Sequence, residues 1–380
     1  MTSFTSNDFP KLNINLYDKA SKNFKKLETL KIEDSYICIN KNEQIINLEN
    51  QSEIEDNTFL FHVNMNYKGE SDKIIMEINN LLPENVTYQN KEVIDDIDNN
   101  LWYIIRSNTN KNIKKNYILT EGDIIKFGNL KFLINKINIF TNINKNDEIK
   151  DNEGENIIPY ENCNLGTQVF ISNEIKKYKL DRFCYSYNLS LCECGQYIHF
   201  PCFKNSNDKK IISEEIDENI KKFYLKDFFC KKCICQYSFS YIISNEKDFL
   251  DSFTVERPFD EDYMILESLG TKDKTVYIIK LLEKGVKIGK SDKNDIIIND
   301  TSIKDEHALI QYDNATGNIR INSLSNEDFN TFVLVRNDIE LNHKIILLRA
   351  GKYSFKLFMD NIYNVQDSDE SDDSIVSEEE

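Results

Sequence analysis

Eight of the nine cysteines in this 380-residue chain fall between Cys163 and Cys235, and only Cys38 lies outside. A disulfide scaffold spreads its cysteines through a short secreted chain, whereas clustering within a long one points to metal ligation. The order is Cys184, Cys192-x-Cys194, His199-x-x-Cys202 and Cys230-x-x-Cys233. Two soft ligands two or three positions apart clamp one tetrahedral ion from a tight turn, and Zn²⁺ takes sulfur and nitrogen donors in that geometry. The long gap from Cys202 to Cys230 requires the pairs to interleave if two sites are to close. Cys163 and Cys235 are left over, with Cys235 a possible stand-in for Cys233, and Cys38 reads as a core cysteine on a strand.

The rest of the chain reads as mainly β. Tyr36–Ile39, Thr58–Val63, Leu101–Arg106 and Tyr117–Leu119 are short β-branched or aromatic runs between polar clusters. Thr120–Ile134 reads as turn, strand, turn at Gly128-Asn129, strand. These define a first block, 1–137, expected to be a β-sandwich, followed by a polar linker at 138–159. The cysteine module covers 160–245, and its best helix candidate is Ile212–Phe223. A third block, 259–360, packs eight short strands into about 100 residues and predicts a second sandwich. Residues 361–380 form an acidic tail expected to be disordered.

The formal net charge is -17, and eight of the acids lie in the last fifteen residues, so the remainder carries about -9. That balance argues against nucleic acid and anionic membranes as general partners, which need a basic field. No window is apolar enough to span a membrane, and Met1–Pro10 is polar. The expectation is a soluble chain of the cytoplasm or nucleus. His62 and His343 are lone histidines, and no Ser/His/Asp order or glycine-rich phosphate loop emerges. Ser371 and Ser377 sit among acids, as substrates of an acidophilic kinase do.

The segment Cys192-Glu-Cys-Gly-Gln-Tyr-Ile-His-Phe-Pro-Cys202, with Asp181-Arg-Phe-Cys184 before it and Cys230-x-x-Cys233 after, resembles the RING-CH (variant RING) zinc finger. The resemblance implies that Cys192, Cys194, Cys230 and Cys233 hold one zinc ion. It implies that Asp181, Cys184, His199 and Cys202 hold a second, with a carboxylate where the family has its first thiolate. The spacers from Cys184 to Cys192 and from Cys194 to His199 are shorter than the family's. One or two Zn²⁺ ions are therefore expected.

The third block resembles a forkhead-associated (FHA) domain through Ile288-Gly-Lys290, Asn294-Asp-Ile296, Asp300–Ala308 with its Ser302 and His307, and Asn330-Thr-Phe-Val333. The resemblance implies an eleven-stranded β-sandwich that reads phosphothreonine through loops at one end. It makes Gly289 and His307 structural, and Lys290, Lys304 and Thr331 the positions facing a phosphopeptide. The departures fall on those loops. Lys290 replaces an Arg, losing the bidentate fork but keeping a charge. Lys304 replaces a Ser, Asp305 an Arg, and Phe329-Asn330 an Asn-Gly. Two lysines can still form a phosphate site, while the alternative is an FHA scaffold that binds proteins without phosphate. Leu101–Arg106 and Tyr117–Gly128 resemble the closing strands of the same kind of sandwich, with Trp102 in its core. The order of blocks is similar to soluble protist proteins that combine the two domain types.

Two function classes follow. The first is an adaptor without catalysis of its own, binding protein partners, phosphorylated or not, through an FHA-type sandwich and a structural zinc module. The second is a RING-CH-type ubiquitin-protein ligase that recruits a ubiquitin-conjugating enzyme, with Phe183 as the apolar contact in the first ligand loop.

Overall fold

The structure, a computed structural model, describes residues 12–18, 23–30, 35–39, 45–48, 58–67, 74–77, 101–106, 117–140, 188–190, 197–242, 249–324, 330–335, 339–341, 346–350 and 352–359. It is mainly β, as expected. The chain divides into two compact units, one of 1–80 with 337–380 and one of 81–336.

In chain order the first unit opens with β1 (Leu12–Asp18), β2 (Asn23–Leu30), β3 (Ser35–Ile39), β4 (Ile45–Leu48), β5 (Thr58–Tyr67) and β6 (Ile74–Glu77). The second unit follows with β7 (Leu101–Ile105), β8 (Tyr117–Leu119), β9 (Ile124–Phe127) and β10 (Leu130–Asn138). Next come β11 (Asn188–Ser190), β12 (Tyr197–His199), helix α1 (Phe200–Asp208), β13 (Ile212–Asp217), β14 (Ile220–Leu225), β15 (Ser240–Ile242) and β16 (Phe249–Asp251). The unit continues with β17 (Tyr263–Leu269), β18 (Lys274–Lys280), β19 (Val286–Gly289), β20 (Ile296–Ile297), β21 (Ala308–Asp313), β22 (Asn318–Ser323) and β23 (Thr331–Leu334). The chain then returns to the first unit with β24 (Ile339–Leu341), β25 (Ile346–Ala350) and β26 (Tyr353–Met359).

The second unit is a two-sheet sandwich. One sheet runs β13-β14-β18-β17-β10-β9-β23-β7 and the other β20-β19-β21-β22-β8. Period-2 alternation shows how it is built. On β17, Met264 and Leu266 join the core between the sheets, while Tyr263 and Ile265 point to the opposite face. On β18, Tyr277 and Ile279 face the core, and Val276 and Ile278 face away. Both faces of these strands are covered, which is why they read as unbroken apolar runs.

What covers the outer face is the cysteine module. Phe200, Phe203, Phe228, Tyr237, Phe239 and Phe253 pack there with Cys230 and Cys235. At the centre, Lys274 and Glu267 form an ion pair of 2.6 Å, each side chain 1% exposed. Lys274 Nζ also donates to Gln236 Oε1 and to the Ser268 carbonyl. Glu267 accepts from the Phe239 amide and from Asn135 Nδ2. The pair thus ties the module and β10 to the sheet, and burial pushes the Lys274 pKa down against the pull of Glu267.

Two expectations change. Ile212–Phe223 is a hairpin, not a helix: β13 pairs with β14, and β14 pairs with β18. Its apolar spacing fits a helix, but Glu218-Asn219 makes a turn and the open edge of β18 supplies a complete ladder, so tertiary pairing overrides local preference. The helix lies instead at Phe200–Asp208. The contiguous blocks 1–137 and 259–360 also differ from the observed grouping. Strands of 101–138 pair with strands of 263–334: β10 with β17, β8 with β22, and β23 with both β7 and β9.

In the first unit, one sheet runs β2-β1-β26-β25 and the other β24-β6-β5-β3-β4. Strands 339–359 close the half opened by 12–77.

Candidate functional site

Three loops converge at one end of the second unit, and their backbone fixes the geometry. Gly289 ends β19 where a side chain has no room: a Cβ there would lie 2.2 Å from the Asp305 carbonyl and 2.7 Å from Asn294. The close approach lets the Lys290 amide donate to the Lys304 carbonyl at 2.9 Å and the Ser291 amide to Asp305 at 3.1 Å. Asn294 locks the same junction, its Nδ2 donating to the Ser291 and Asp305 carbonyls at 2.7 and 2.6 Å.

His307 is fully buried and spans two loops. Its Nδ1 accepts from the Lys304 amide at 3.1 Å, and its Nε2 lies 3.0 Å from the Asn330 carbonyl. Those partners select the tautomer with the proton on Nε2. Burial holds its pKa below the usual histidine value, and the nearby Lys304 charge adds to that, against the Asn330 contact. Phe127 meets the imidazole edge-to-face at 5.6 Å.

The turn between β9 and β10 completes the site. Gly128 has φ +56° and its amide donates to the Asn330 carbonyl. A Cβ on it would lie 2.4 Å from Ser302 O, so glycine is required twice over. The Asn129 amide donates to Ser302 Oγ, and Ser302 donates to Asp300 Oδ1. That hydroxyl and the Ser302 amide hold the Asp300 carboxyl below its usual range, with a smaller contribution from Lys290.

The arrangement leaves two cations on adjoining backbone. Lys290 is exposed and Lys304 half-buried, and among the described residues neither forms an ion pair. Acids flank them: Asp292, Asp305 and Glu306 are exposed. Thr331 is fully buried and so faces the core rather than a ligand. Among the described residues, its Oγ1 and Asn294 Oδ1 have no hydrogen-bond partner.

These loops sit where the family signature places them. Residues 286–351 match the FHA domain family. The FHA match starts on β19 and runs through the loops just described. No curated protein and no solved structure matches the chain. FHA domains bind phosphorylated protein partners, and the preserved elements here are the braces, Gly289, Asn294, Ser302 and His307. The contributions of Phe127, Gly128 and Asn129 to the FHA site were not visible in the sequence. Their hairpin signal was read, but nothing local says which sheet it joins.

Of the eight expected metal ligands, Asp181, Cys184, Cys192 and Cys194 lie outside the described residues, as does Phe183. His199 ends β12, and Cys202 lies on α1, half-buried. Cys230 is fully buried and Cys233 half-exposed. Among the described residues, no three His, Cys, Asp or Glu side chains gather as a metal set. The Cys230–Cys235 loop has its own geometry. The Ile234 amide donates to the Cys230 carbonyl at 2.7 Å and the Cys230 amide to Cys235 at 2.8 Å. Ile234, exposed and β-branched, is held at φ +60°.

No helix among the described residues is long and apolar enough to cross a membrane.

Proposed function

We propose that this protein is a protein-binding adaptor that engages its partner through the FHA loops, with Lys290 and Lys304 supplying the charge for an acidic or phosphorylated threonine segment. The observation that carries this reading is the Lys290–Lys304 backbone hydrogen bond beneath two side chains that form no ion pair among the described residues, braced by buried His307. Two ammonium groups act as point charges and lack the planar fork of arginine, so binding is expected to be salt-sensitive and modest in its phosphate preference. An oriented peptide library, phosphorylated and unphosphorylated at threonine, tests this on the full chain. Phospho-dependent capture that disappears in Lys290→Ala/Lys304→Ala supports the reading. Equal capture of both libraries removes the phosphate component.

The cysteine module is proposed as a structural zinc knot. What supports it is Ile234: a β-branched residue at positive φ costs about 1–2 kcal/mol and persists where the surroundings impose it. The turn it closes sets Cys230 and Cys233 three apart, as a two-thiolate clamp needs. Cys192 and Cys194 would complete that site, and Asp181, Cys184, His199 and Cys202 would hold a second ion. Bound zinc would fix the module's loops and supply no reaction chemistry. The ligase alternative rests on the RING-CH resemblance alone. A ubiquitin autoconjugation assay decides it: chains formed by the wild type and lost in Cys230→Ser would replace the adaptor reading.

A further inference from the structure

The recognition loops occupy one end of the second unit, and strand pairing carries that end well beyond them. The Gly128-Asn129 turn belongs to it, through the Asn129 amide on Ser302. Just past that turn, Lys131 pairs with Leu269 at the end of β17, so the β17–β18 turn lies at the same end. Lys274 at the start of β18 pairs with Leu225 at the end of β14, and Tyr224 pairs with Ile212 at the start of β13. The exit of β14 and the entry to β13 therefore continue the row.

The sequence sets lysines at each of these points: Lys272 in the β17–β18 turn, Lys226 after β14, and Lys209-Lys210 before β13. All four are exposed, and among the described residues none forms an ion pair. Their acidic neighbours are mostly engaged within the fold. Asp273, next to Lys272, accepts from Tyr224 Oη and from the Asp227 amide. Asp208 accepts from the Thr254 amide and hydroxyl, and Glu214 is paired with Lys222. Asp227 is the exposed acid within the row, and Glu215 lies further along β13. In a chain of net charge -17 this is a local positive field.

We propose that Lys272, Lys226 and Lys209-Lys210 form a second anchor for the ligand of the FHA loops. The ligand is then an extended segment that carries a block of Asp and Glu at a fixed distance from its threonine. This deepens the adaptor reading above and rests on it. The strand order sets the distance. β9, β10, β17, β18 and β14 are consecutive in their sheet. At about 4.8 Å between neighbouring strands, the β9–β10 turn lies about 10 Å from the β17–β18 turn and about 17 Å from the end of β14. An extended chain covers about 3.3 Å per residue, which places Lys272 about three residues and Lys226 about five residues along the ligand. Lys210, one strand further, is reached at about seven residues. Point charges on flexible stems suit an acidic block, which needs no planar fork.

Titrations of the full chain with three forms of one phosphothreonine peptide test this. The forms are a short one, one extended by an Asp/Glu block about three to seven residues from the threonine, and one with Asn/Gln in the same places; both flanks are tried. The acidic block is expected to tighten binding about fivefold over its Asn/Gln counterpart, on one flank. The gain should disappear in Lys226→Ala/Lys272→Ala and persist in Lys284→Ala/Lys287→Ala, which removes the same charge at the start of β19. No gain, a gain that survives the first variant, or an equal loss in both variants overturns the proposal. So does binding to phosphatidylserine vesicles that is lost in Lys226→Ala/Lys272→Ala while the peptide shows no gain, since that assigns the row to a lipid surface. A short phosphopeptide that binds without any gain from the block removes the anchor and leaves the adaptor reading. Block-dependent binding that needs Lys226 and Lys272 but is indifferent to phosphate and to Lys290→Ala/Lys304→Ala keeps the acidic-segment site and removes the loop reading.

Discussion

The two ends of the Lys-bearing FHA sandwich treat charge in opposite ways. At the loops, Lys290 is exposed and Lys304 half-buried, and among the described residues neither forms an ion pair. On the outer face of the sheet, Lys274 is 1% exposed and bound to an equally buried Glu267. A surface lysine contributes almost nothing to stability and is available to a ligand. A buried one is held by the full set of its partners, and removing any of them leaves a charge in a dry interior. The recognition end of this molecule should therefore tolerate mutation and lose binding, while the junction end should keep its chemistry simple and lose stability.

The sharpest break in that contrast is Lys274→Met. It strands the Glu267 carboxylate, and a loss of about 3–5 kcal/mol is expected in denaturant unfolding. Lys274→Met/Glu267→Leu should recover part of it, but not all, because the Phe239 amide and Asn135 Nδ2 would lose their acceptor. Next in size is Gly289→Ala. With the Asp305 carbonyl 2.2 Å from the new Cβ, the loop junction must shift, at about 1–3 kcal/mol, and peptide binding should weaken with it. Ile234→Gly should act in the other direction, stabilising the metal-loaded protein by up to about 1 kcal/mol as the positive φ is relieved.

A smaller effect is expected from pH. The His307 pKa is lower in the folded chain than the ordinary 6.5, so the unfolded state takes up the proton first. Its contribution to stability is complete above about pH 6.5 and is lost as pH falls below that value through the folded pKa. His307→Gln should remove this part of the pH dependence in thermal melts between pH 7 and 5. The smallest stability change is expected for Lys290→Ala/Lys304→Ala, within about 0.5 kcal/mol of wild type. Metal analysis of purified protein sharpens the junction side: one zinc per chain points to the four-thiolate site alone, two include Asp181, and none removes the zinc knot.

The loops were legible because their chemistry is local. Gly289, Asn294, Ser302 and His307 stand at spacings that fix a backbone junction, and the strands of 263–358 follow apolar runs bounded by turns. The hairpin at Gly128-Asn129 was equally plain. Its partner was not, because more than one sheet in the chain could receive it, and pairing is decided by long-range packing such as Phe127 on His307. The hairpin β13-β14 was hidden for a related reason: Ile212, Ile216, Ile220 and Phe223 suit a helix until an open strand edge is provided. The Lys274–Glu267 pair gave no signal at all. Both residues look like ordinary surface charges in the sequence, and only the aromatic layer of the cysteine module makes them interior.

The central claim is recognition of an acidic or phosphorylated segment by the FHA loops. Its most direct test is a calorimetric titration of the full chain with a library-selected phosphothreonine peptide at low and high salt. Binding is expected to weaken as salt rises, to weaken modestly when the phosphate is removed, and to vanish in Lys290→Ala/Lys304→Ala with unfolding unchanged. Binding of equal strength in that double variant would contradict it.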